Sequence, residues 1–363
     1  MNLTHTLGWM AAAGWLLAAG CAASKSAASE DPLRYPEERH LRNIRQLTFG
    51  GDNAEAYFSF DSKSLTLQRT YAPEGIACDQ IFYGRIPKRA GQPFEMKLLS
   101  TGKGRTTCSY FMPGDQQILY ASTHLAADTC PAPPDRSKIR KYVWAIYDSY
   151  DIFVSNLDGT IVRQLTNTPG YDAEATLSPQ GDKIVFTSTR NGDLDLYTMN
   201  PDGSDVRQVT NQPGYDGGAF FSPDGKQLVF RASRPKTPEE LREYQELLAQ
   251  GLVAPTNMEI YTCNLDGSNL KQVTQLGKAN WAPFFHPSGK KILFSSNHAS
   301  PDGRLFNLYL INPDGSGLER VTWDTEFDSF PMFSPDGKYL VFASNRNNGE
   351  TRDTNVFLAE WVD

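Results

Sequence analysis

A short phrase recurs along the chain as Leu177-Ser-Pro-Gln-Gly-Asp-Lys183, Phe221-Ser-Pro-Asp-Gly-Lys226, Phe285-His-Pro-Ser-Gly-Lys290 and Phe333-Ser-Pro-Asp-Gly-Lys338. Weaker copies stand at Phe111-Met-Pro-Gly-Asp-Gln116 and Phe58-Ser-Phe-Asp-Ser-Lys63. Pro, Asp and Gly between two runs of β-forming residues are typical of a tight turn that joins strands. Six such turns indicate a repeat protein.

The best-preserved unit, residues 171–210, contains four strand-like runs. They cover residues 173–178, 183–188, 194–199 and 205–210. Four short antiparallel strands in about 40 residues form one blade of a β-propeller. The sequence therefore predicts an all-β fold, a six-bladed β-propeller of four-stranded antiparallel blades over residues 41–363.

The two ends of the propeller region indicate how the ring closes. Most blades end in a phrase such as Arg163-Gln-Leu-Thr166, and the same phrase, Arg45-Gln-Leu-Thr48, stands before the first blade. The last blade stops after its third strand, Asn355–Trp361. Residues 41–48 are therefore expected to supply its missing outer strand, so that no strand edge stays unpaired.

Blades two and four are longer than the others, with insertions at about 124–146 and 235–257. Both insertions lie between the second and third strands of their blade, so they decorate the same face of the ring. In the second, Thr237, Pro238 and Glu240 predict the start of a helix with a capping box, which Gly251 ends. This helix either packs on the rim or covers the channel.

The N-terminal region resembles an export signal. Residues 8–20 are small and apolar and lead to Leu17-Ala-Ala-Gly-Cys21, which resembles a bacterial lipobox. Thirteen residues are too few to cross a bilayer. We expect a lipoprotein signal peptide at 1–20, lipid attachment at Cys21, a flexible tether at 21–40 and a periplasmic location at the outer membrane. The lipid would be the only membrane contact.

Charge excludes one class of partner. The 363 residues carry a formal net charge of −7, without a basic run. Binding to nucleic acid requires a basic face, so no nucleic-acid partner is expected. No phosphate loop, nucleophile elbow or Cys/His metal spacing is present, which predicts no cofactor and no metal. We expect a monomer.

Two sets of polar residues vary together at the decorated face. They stand seven residues before and eleven residues after the turn positions 113, 179, 223, 287 and 335. The candidate binding residues among them are His124, Asp172, Arg190, Asp216, Arg234, Asn280, His298, Asp328 and Arg346. Every Asp is matched by an Arg. The sets are interpreted either as ion pairs within each blade or as a charged ring around the channel mouth.

The two histidines of this face do not suggest a metal site. His124 and His298 fall in blades two and five, which lie opposite each other in a six-fold ring. Ligands of one ion must lie within about 2 Å of it, so the two cannot share a metal.

Four cysteines remain beyond the export signal. Cys108 and Cys130 are the preferred disulfide, with Cys78 as the competing partner. Cys263 stands in the middle of a strand and is expected to be a buried thiol.

The Ser-Pro-Asp-Gly-Lys turns and the terminal Leu-Thr phrase resemble the propeller repeats of the TolB family. The resemblance covers about 41–363 and implies a periplasmic propeller. TolB carries an α/β domain before its propeller, for which the segment between Cys21 and the first strand leaves no room. A role in a Tol system is therefore not implied.

These observations favour a non-catalytic, lipid-anchored propeller that binds an envelope protein or a cell-wall polysaccharide through its decorated face. The alternative is a carbohydrate-active lyase or hydrolase, with Asp172, Asp216 or Asp328 and His124 as acid and base at the channel mouth.

Overall fold

The computed structural model describes residues 31–137 and 139–363. Within these residues the chain forms 26 strands, one α-helix and one short 3₁₀ helix. Twenty-four of the strands make six four-stranded antiparallel sheets, and the other two pair with each other. The six-bladed propeller predicted from the turns is confirmed.

The first half of the ring contains strands β1 to β14. Their bounds are β1 Leu41–Gln46, β2 Asp52–Phe58, β3 Ser64–Tyr71, β4 Ile76–Arg85, β5 Met96–Leu98, β6 Thr106–Phe111, β7 Gln117–Ser122, β8 Trp144–Ala145, β9 Asp151–Asn156, β10 Ile161–Gln164, β11 Asp172–Leu177, β12 Ile184–Ser188, β13 Asp195–Met199 and β14 Arg207–Gln208. The 3₁₀ helix Ala72–Glu74 lies between β3 and β4.

The second half contains the remaining strands and the α-helix. Their bounds are β15 Asp216–Phe221, β16 Gln227–Ala232, α1 Pro238–Leu248, β17 Leu252–Val253, β18 Glu259–Asn264, β19 Lys271–Gln272, β20 Asn280–Phe285, β21 Ile292–Ser296, β22 Asn307–Ile311, β23 Glu319–Arg320, β24 Asp328–Phe333, β25 Tyr339–Ser344 and β26 Asn355–Trp361.

Each blade runs from an inner strand at the axis to an outer strand at the rim. Blades one to three are β2–β5, then β6, β7, β9 and β10, then β11–β14. Blades four to six are β15, β16, β18 and β19, then β20–β23, then β24, β25, β26 and β1. The inner strands are therefore β2, β6, β11, β15, β20 and β24.

The repeated turn is held by its own side chains. In blade four the hydroxyl of Ser222 donates to Asp224 at 2.6 Å and accepts from the backbone N–H of Gln227 at 3.0 Å. Ser334 and Asp336 make the same contact in blade six at 2.7 Å. Ser and Asp recur in the phrase because they satisfy backbone groups that the turn leaves unpaired.

The core lies between neighbouring blades and combines aliphatic side chains with aromatic side chains from the second and third strands. The ring centroids of Phe230 and Tyr261 are 6.0 Å apart, and those of Phe342 and Phe357 are 5.8 Å apart. Phe230, Phe342 and Phe357 are fully buried. Each such side chain contributes about 1.5–3 kcal/mol by leaving water.

The ring closes through β1, as predicted. Leu41 pairs with Trp361 and Gln46 pairs with Phe357, antiparallel, with one irregularity between them. The strand ends at Gln46, two residues before the predicted end.

The segment before β1 is packed rather than free. Residues 33–40 were part of the predicted tether at 21–40. Glu38 is fully buried, accepts from the guanidinium of Arg346 at 2.8 Å and accepts from the backbone of Trp323 at 3.1 Å. This part of the tether prediction is wrong, because a buried ion pair fixes the segment on blade six. The predicted signal peptide and Cys21 lie outside the described residues.

The two insertions meet above the channel. Leu252 of β17 pairs with Ala145 of β8, and Val253 pairs with Trp144. The capping box of α1 is present, with Thr237 and Glu240 as predicted. A salt bridge from Lys141 to Glu243 ties the helix to the first insertion. We call residues 139–147 and 237–255 the cap. Within the described part of the chain, no helix has the length and apolar character needed to span a bilayer.

The preferred disulfide is corrected by the structure. Cys130 bonds to Cys78, with their Cα atoms 6.0 Å apart, whereas Cys108 and Cys263 are free and buried. Cys108 cannot reach the insertion because its Sγ points to the carboxylate of Glu55, at 2.7 Å. The bond therefore joins the first insertion to blade one.

The disulfide generates a stability prediction. It closes a loop with a sequence separation of 52, and the loss of that constraint costs about 4 kcal/mol in the chain-entropy model. We expect Cys130→Ser to lower the free energy of unfolding by about that amount, measured by urea denaturation.

Cys108→Ser is the control, since its hydroxyl can still donate to Glu55. We expect it to change stability little. Peptide mapping that joins Cys108 to Cys130, or a large loss only in Cys108→Ser, would overturn the assignment.

Candidate functional site

The Asp and Arg residues chosen from the sequence form ion pairs inside their own blades. Nη2 of Arg190 donates to both carboxylate oxygens of Asp172, at 3.0 and 3.1 Å. Arg234 is salt-bridged to Asp216. Nη2 of Arg346 lies 3.3 and 3.2 Å from the two oxygens of Asp328. The predicted pairing of Asp with Arg within a blade is confirmed. A single guanidinium nitrogen makes each contact, so the pairs are not the bidentate type in which two nitrogens bind two oxygens.

The same positions pack on aromatic rings of the third strand. The guanidinium of Arg190 lies 4.9 Å from the ring centroid of Tyr197, and that of Arg234 lies 5.2 Å from Tyr261. Such cation–π contacts fix the charged group in place.

The two histidines take the equivalent place. The ring centroid of His124 is 4.5 Å from that of Phe153, and His298 is 4.5 Å from Tyr309. Asn280 replaces Asp beside His298, and Ser296 bridges the two, at 2.6 Å from Asn280 and 2.9 Å from His298. These side chains are therefore engaged in contacts within their own blades.

In blade one, counting seven residues back from residue 61 of the phrase Phe58-Ser-Phe-Asp-Ser-Lys63 selects Ala54, but the structure shifts the register by one residue. Phe60 stands where the other copies have proline. Asn53, rather than Ala54, is therefore the equivalent of Asp172. Asn53 is fully buried and accepts from Arg69 at 2.9 Å.

The main cavity lies beneath the cap and has a volume of about 490 Å³. None of the nine candidate residues lines it. Its floor is built by one residue of each inner strand, at a bulge in the pairing with the second strand. All six have positive φ, from 40° to 59°: Glu55, Cys108, Glu174, Gly218, Ala282 and Phe330. A bulge redirects a side chain, and here the bulges direct five side chains toward the axis, since Gly218 of blade four has none.

An aromatic plug closes the channel below this cavity. It consists of the residues two positions after the bulge residues in four blades: Tyr57, Tyr110, Phe220 and Phe284. The ring centroid of Tyr57 lies 5.9 Å from that of Tyr110 and 5.7 Å from that of Phe220. Phe220 and Phe284 are 5.0 Å apart. A polymer therefore cannot pass along the axis.

A second hollow of about 220 Å³ lies on the other side of the plug. Its wall contains the prolines of the repeated turns, Pro179, Pro223, Pro287 and Pro335, together with phenylalanine side chains. This mouth is apolar, whereas the capped cavity holds charged groups.

Glu174 is the centre of a buried hydrogen-bond network in the capped cavity. Its carboxylate accepts from Tyr215 at 2.6 Å, from Thr187 at 2.8 Å and from the backbone of Gly218 at 2.8 Å. Arg231 completes the set at 2.5 Å. Burial acts to raise the pKa of Glu174, but Arg231 and these donors outweigh it and hold the pKa below its ordinary value.

Two glycines leave room for this network. A Cβ on Gly218 would lie 1.8 Å from Nη1 of Arg231, and one on Gly217 would lie 2.4 Å from the carboxylate of Glu174. Gly218 also has φ +59°, a conformation that favours glycine. The guanidinium of Arg231 is sandwiched, 5.3 Å from the ring of Trp144 and 5.0 Å from Tyr215.

Glu55 occupies the same layer in a different environment. It accepts from the thiol of Cys108 at 2.7 Å and from the hydroxyl of Tyr57 at 3.4 Å. It forms no ion pair within the described residues. Burial raises the pKa of Glu55 to about 7. Burial and the neighbouring Glu55 and Glu174 raise the pKa of the Cys108 thiol well above its ordinary value, so the thiol stays protonated.

The walls of the cavity are mostly aromatic. The ring centroids of Trp144 and Trp281 lie 5.0 Å apart, and Tyr150 and Tyr171 lie 5.7 Å apart. A salt bridge from Arg105 to Asp79 adds one neutralised pair to the wall. Among the residues described, no three His, Cys, Asp or Glu side chains converge in a way that could hold a metal ion.

The sequence carried a signal for this cavity that the residue pairs obscured. Five of the six bulge residues stand five positions before a turn proline, and Glu174, between two alanines in Asp172-Ala-Glu-Ala175, is a charged residue in a strand that is buried throughout. A charge at such a position is costly unless it is paired or functional.

The buried pair of Glu174 and Arg231 predicts a large effect of one substitution. Glu174→Gln keeps the shape but leaves Arg231 buried without a counter-charge, which we expect to cost about 3–5 kcal/mol. Glu239→Gln on the exposed face of α1 is the control and should change stability little. Equal unfolding midpoints in urea for the two variants would contradict the role of the pair.

The pKa of Glu55 predicts a pH effect on stability. Because this pKa is raised in the folded protein, the stabilisation from protonated Glu55 is complete below about pH 4.3 and is lost as the pH rises through about 7. Asp195, with a pKa of about 7, and Asp216, with one of about 6, act in the same direction. The comparison is therefore made with Glu55→Gln.

We expect Glu55→Gln to gain stability relative to the wild type as the pH rises from 5 to 8, measured by urea denaturation at each pH. A difference between the two proteins that stays constant over this range would show that Glu55 titrates normally.

Known proteins with a similar fold include TolB propellers. Residues 132–241 match the family model "TolB beta propeller domain". No curated protein sequence matches the chain significantly. A putative TolB from Agrobacterium tumefaciens is similar in structure, with a TM-score of 0.56 and 19% identity over 88% of this chain and 97% of that one.

Two further solved structures share the fold. TolB from Acinetobacter baumannii has a TM-score of 0.51 and 19% identity, over 85% of this chain and 63% of that one. Oligogalacturonate lyase from Vibrio parahaemolyticus has a TM-score of 0.51 and 12% identity, over 87% and 93%. At these identities the likeness concerns the fold. The chain is thus a six-bladed β-propeller, and between residues 132 and 241 its repeats match the model of the TolB propeller.

Proposed function

We propose that this chain is a non-catalytic binding module of the cell envelope that takes a short segment of a partner protein into the capped cavity. One observation carries the proposal: the cavity is covered on one side by the cap and closed below by the aromatic plug. A hollow that is closed at its lower end suits a chain end, a loop tip or a side chain rather than a polymer that passes through.

The size and lining of the cavity suit this role. A volume of about 490 Å³ falls in the range of about 300–1,000 Å³ that ligand pockets occupy. Trp144, Trp281 and Tyr147 offer large, rigid contact surfaces, of the kind that contribute most of the affinity at protein interfaces. The fixed ion pairs supply orientation.

The cap is firmly held, which supports a preformed site. The disulfide from Cys130 to Cys78 fixes the first insertion. The indole of Trp281 donates to the backbone of Pro255 at 2.9 Å, and the hydroxyl of Tyr244 donates to Asp193. A preformed pocket loses little conformational entropy when a ligand binds.

The location belongs to the same proposal. The apolar segment at 8–20 and the lipobox at Cys21 favour export and lipid attachment, and TolB, which the propeller resembles, is a periplasmic protein. We place the chain in the periplasm, anchored to the outer membrane by its lipid, as a monomer without a nucleic-acid partner.

The carbohydrate-active alternative has less support. Its acid and base candidates Asp172, Asp216 and Asp328 are each salt-bridged to an arginine. His124 packs on Phe153 and does not line the cavity. The likeness to an oligogalacturonate lyase concerns the fold and does not supply a catalytic set.

Site-specific photo-crosslinking in the intact envelope tests the proposal. A photoreactive amino acid replaces Tyr147 or Phe327, both on the cavity wall, or Val162 on the outer strand of blade two as a matched control. We expect one protein adduct from the two cavity positions and none from Val162.

The same adducts at all three positions, or no protein adduct at the cavity, would contradict a binding role for this site. An adduct that glycan hydrolases degrade would show that the partner is a polysaccharide and not a protein.

A further inference from the structure

Two carboxylates of the capped cavity lack a positive partner. Glu55 has only the neutral donors Cys108 and Tyr57. Asp52, at the exposed start of β2, also lines the cavity and forms no ion pair within the described residues. Burial, with Asp79 and Asp353 nearby, raises the pKa of Asp52. For the desolvated Glu55 the lack of a positive partner is costly, which favours a ligand that supplies one.

The cations of the wall are mostly neutralised by other groups. Arg231 is paired with Glu174, and Arg105 is paired with Asp79. The remaining lining cation, Arg136, is exposed on the first insertion. An anionic ligand would therefore find no free guanidinium in the depth of the cavity and would face Glu55.

The aromatic walls also favour a cation. One cationic side chain of the cavity already packs on aromatic rings. The guanidinium of Arg231 lies over the rings of Trp144 and Tyr215. Trp281, Tyr147 and Phe327 present further rings to the same space. Aromatic side chains that surround a cavity attract an organic ammonium ion through their electron-rich faces.

We propose that the capped cavity binds a primary ammonium group of the partner protein, carried by a lysine side chain or by the N-terminal amine, with Glu55 as its counter-charge. This inference rests on the proposed function and names the chemistry of the segment that enters the cavity. An ammonium group on a narrow alkyl stem fits between the rings and reaches the bulge layer, where the three donors of its nitrogen meet the carboxylate.

The protonation of Glu55 couples binding to pH. The titratable or charged groups that face Glu55 are Cys108 on β6, Glu174 on β11, Arg231 on β16 and Asp79 on β4, together with Tyr57 on its own strand. Burial has a larger effect than any of these groups and raises the pKa of Glu55 to about 7. A bound ammonium favours the ionised carboxylate, so binding releases a proton, and the affinity rises about tenfold between pH 6 and pH 8.

Model ligands test this inference on the folded, disulfide-bonded protein. The probe for a lysine side chain is Nα-acetyl-lysine amide, and the probe for an N-terminal amine is alanyl-alanine amide. The matched uncharged probe is Nα-acetyl-norleucine amide. Titration calorimetry and the fluorescence of Trp144 and Trp281 report binding.

We expect one of the two amine probes to bind at least about tenfold more tightly than the norleucine probe. Glu55→Gln should remove that preference and the proton release, which is measured in buffers of different ionisation enthalpy. Glu246→Gln, on the exposed side of α1, changes the net charge equally and should leave both unchanged.

Equal binding of the amine and norleucine probes to the wild type would overturn the inference, whether or not Glu55→Gln folds. If photo-crosslinking still captures a protein at Tyr147 and Phe327, the binding role stands and only the ligand chemistry is wrong. Amine binding without any captured protein would support the cation site and contradict the partner role.

Discussion

Main-chain pairing between β1 and β26 is the interaction on which the rest of the molecule depends. A blade buries its apolar faces only against two neighbours, so a six-bladed ring is stable when its first and last blades are joined. Closure then fixes a common axis for the inner strands. Glu55 of blade one and Glu174 of blade three, far apart in sequence, come to line one cavity because of this axis.

The cavity arises from two departures from a plain ring. The insertions of blades two and four leave their sheets and pair with each other through β8 and β17, which covers one side of the axis. The bulges of the inner strands place one residue per blade at the axis, and its type is glutamate in blades one and three and different in each of the other four. The scaffold is thus regular, whereas the residues that line the site vary between blades.

Regular features could be predicted from the sequence, and single positions could not. The turn phrase, the closing strand and the capping box at Thr237 depend on local chemistry that repeats. Asp172, Arg190 and similar pairs stand out in the sequence because they vary together, and they vary together because they contact each other. Phe60 in place of proline shifted the alignment of blade one. The disulfide depended on where the bulge directs Cys108, which sequence spacing does not reveal.

The aromatic plug divides the axis of the ring into two separate hollows. Tyr57, Tyr110, Phe220 and Phe284 fill the axis between the charged, capped mouth and the apolar mouth walled by the turn prolines. The plug separates the two hollows, and Phe220 belongs to the wall of both. The axis of this ring is therefore divided into two blind hollows of different chemistry and does not form a continuous pore.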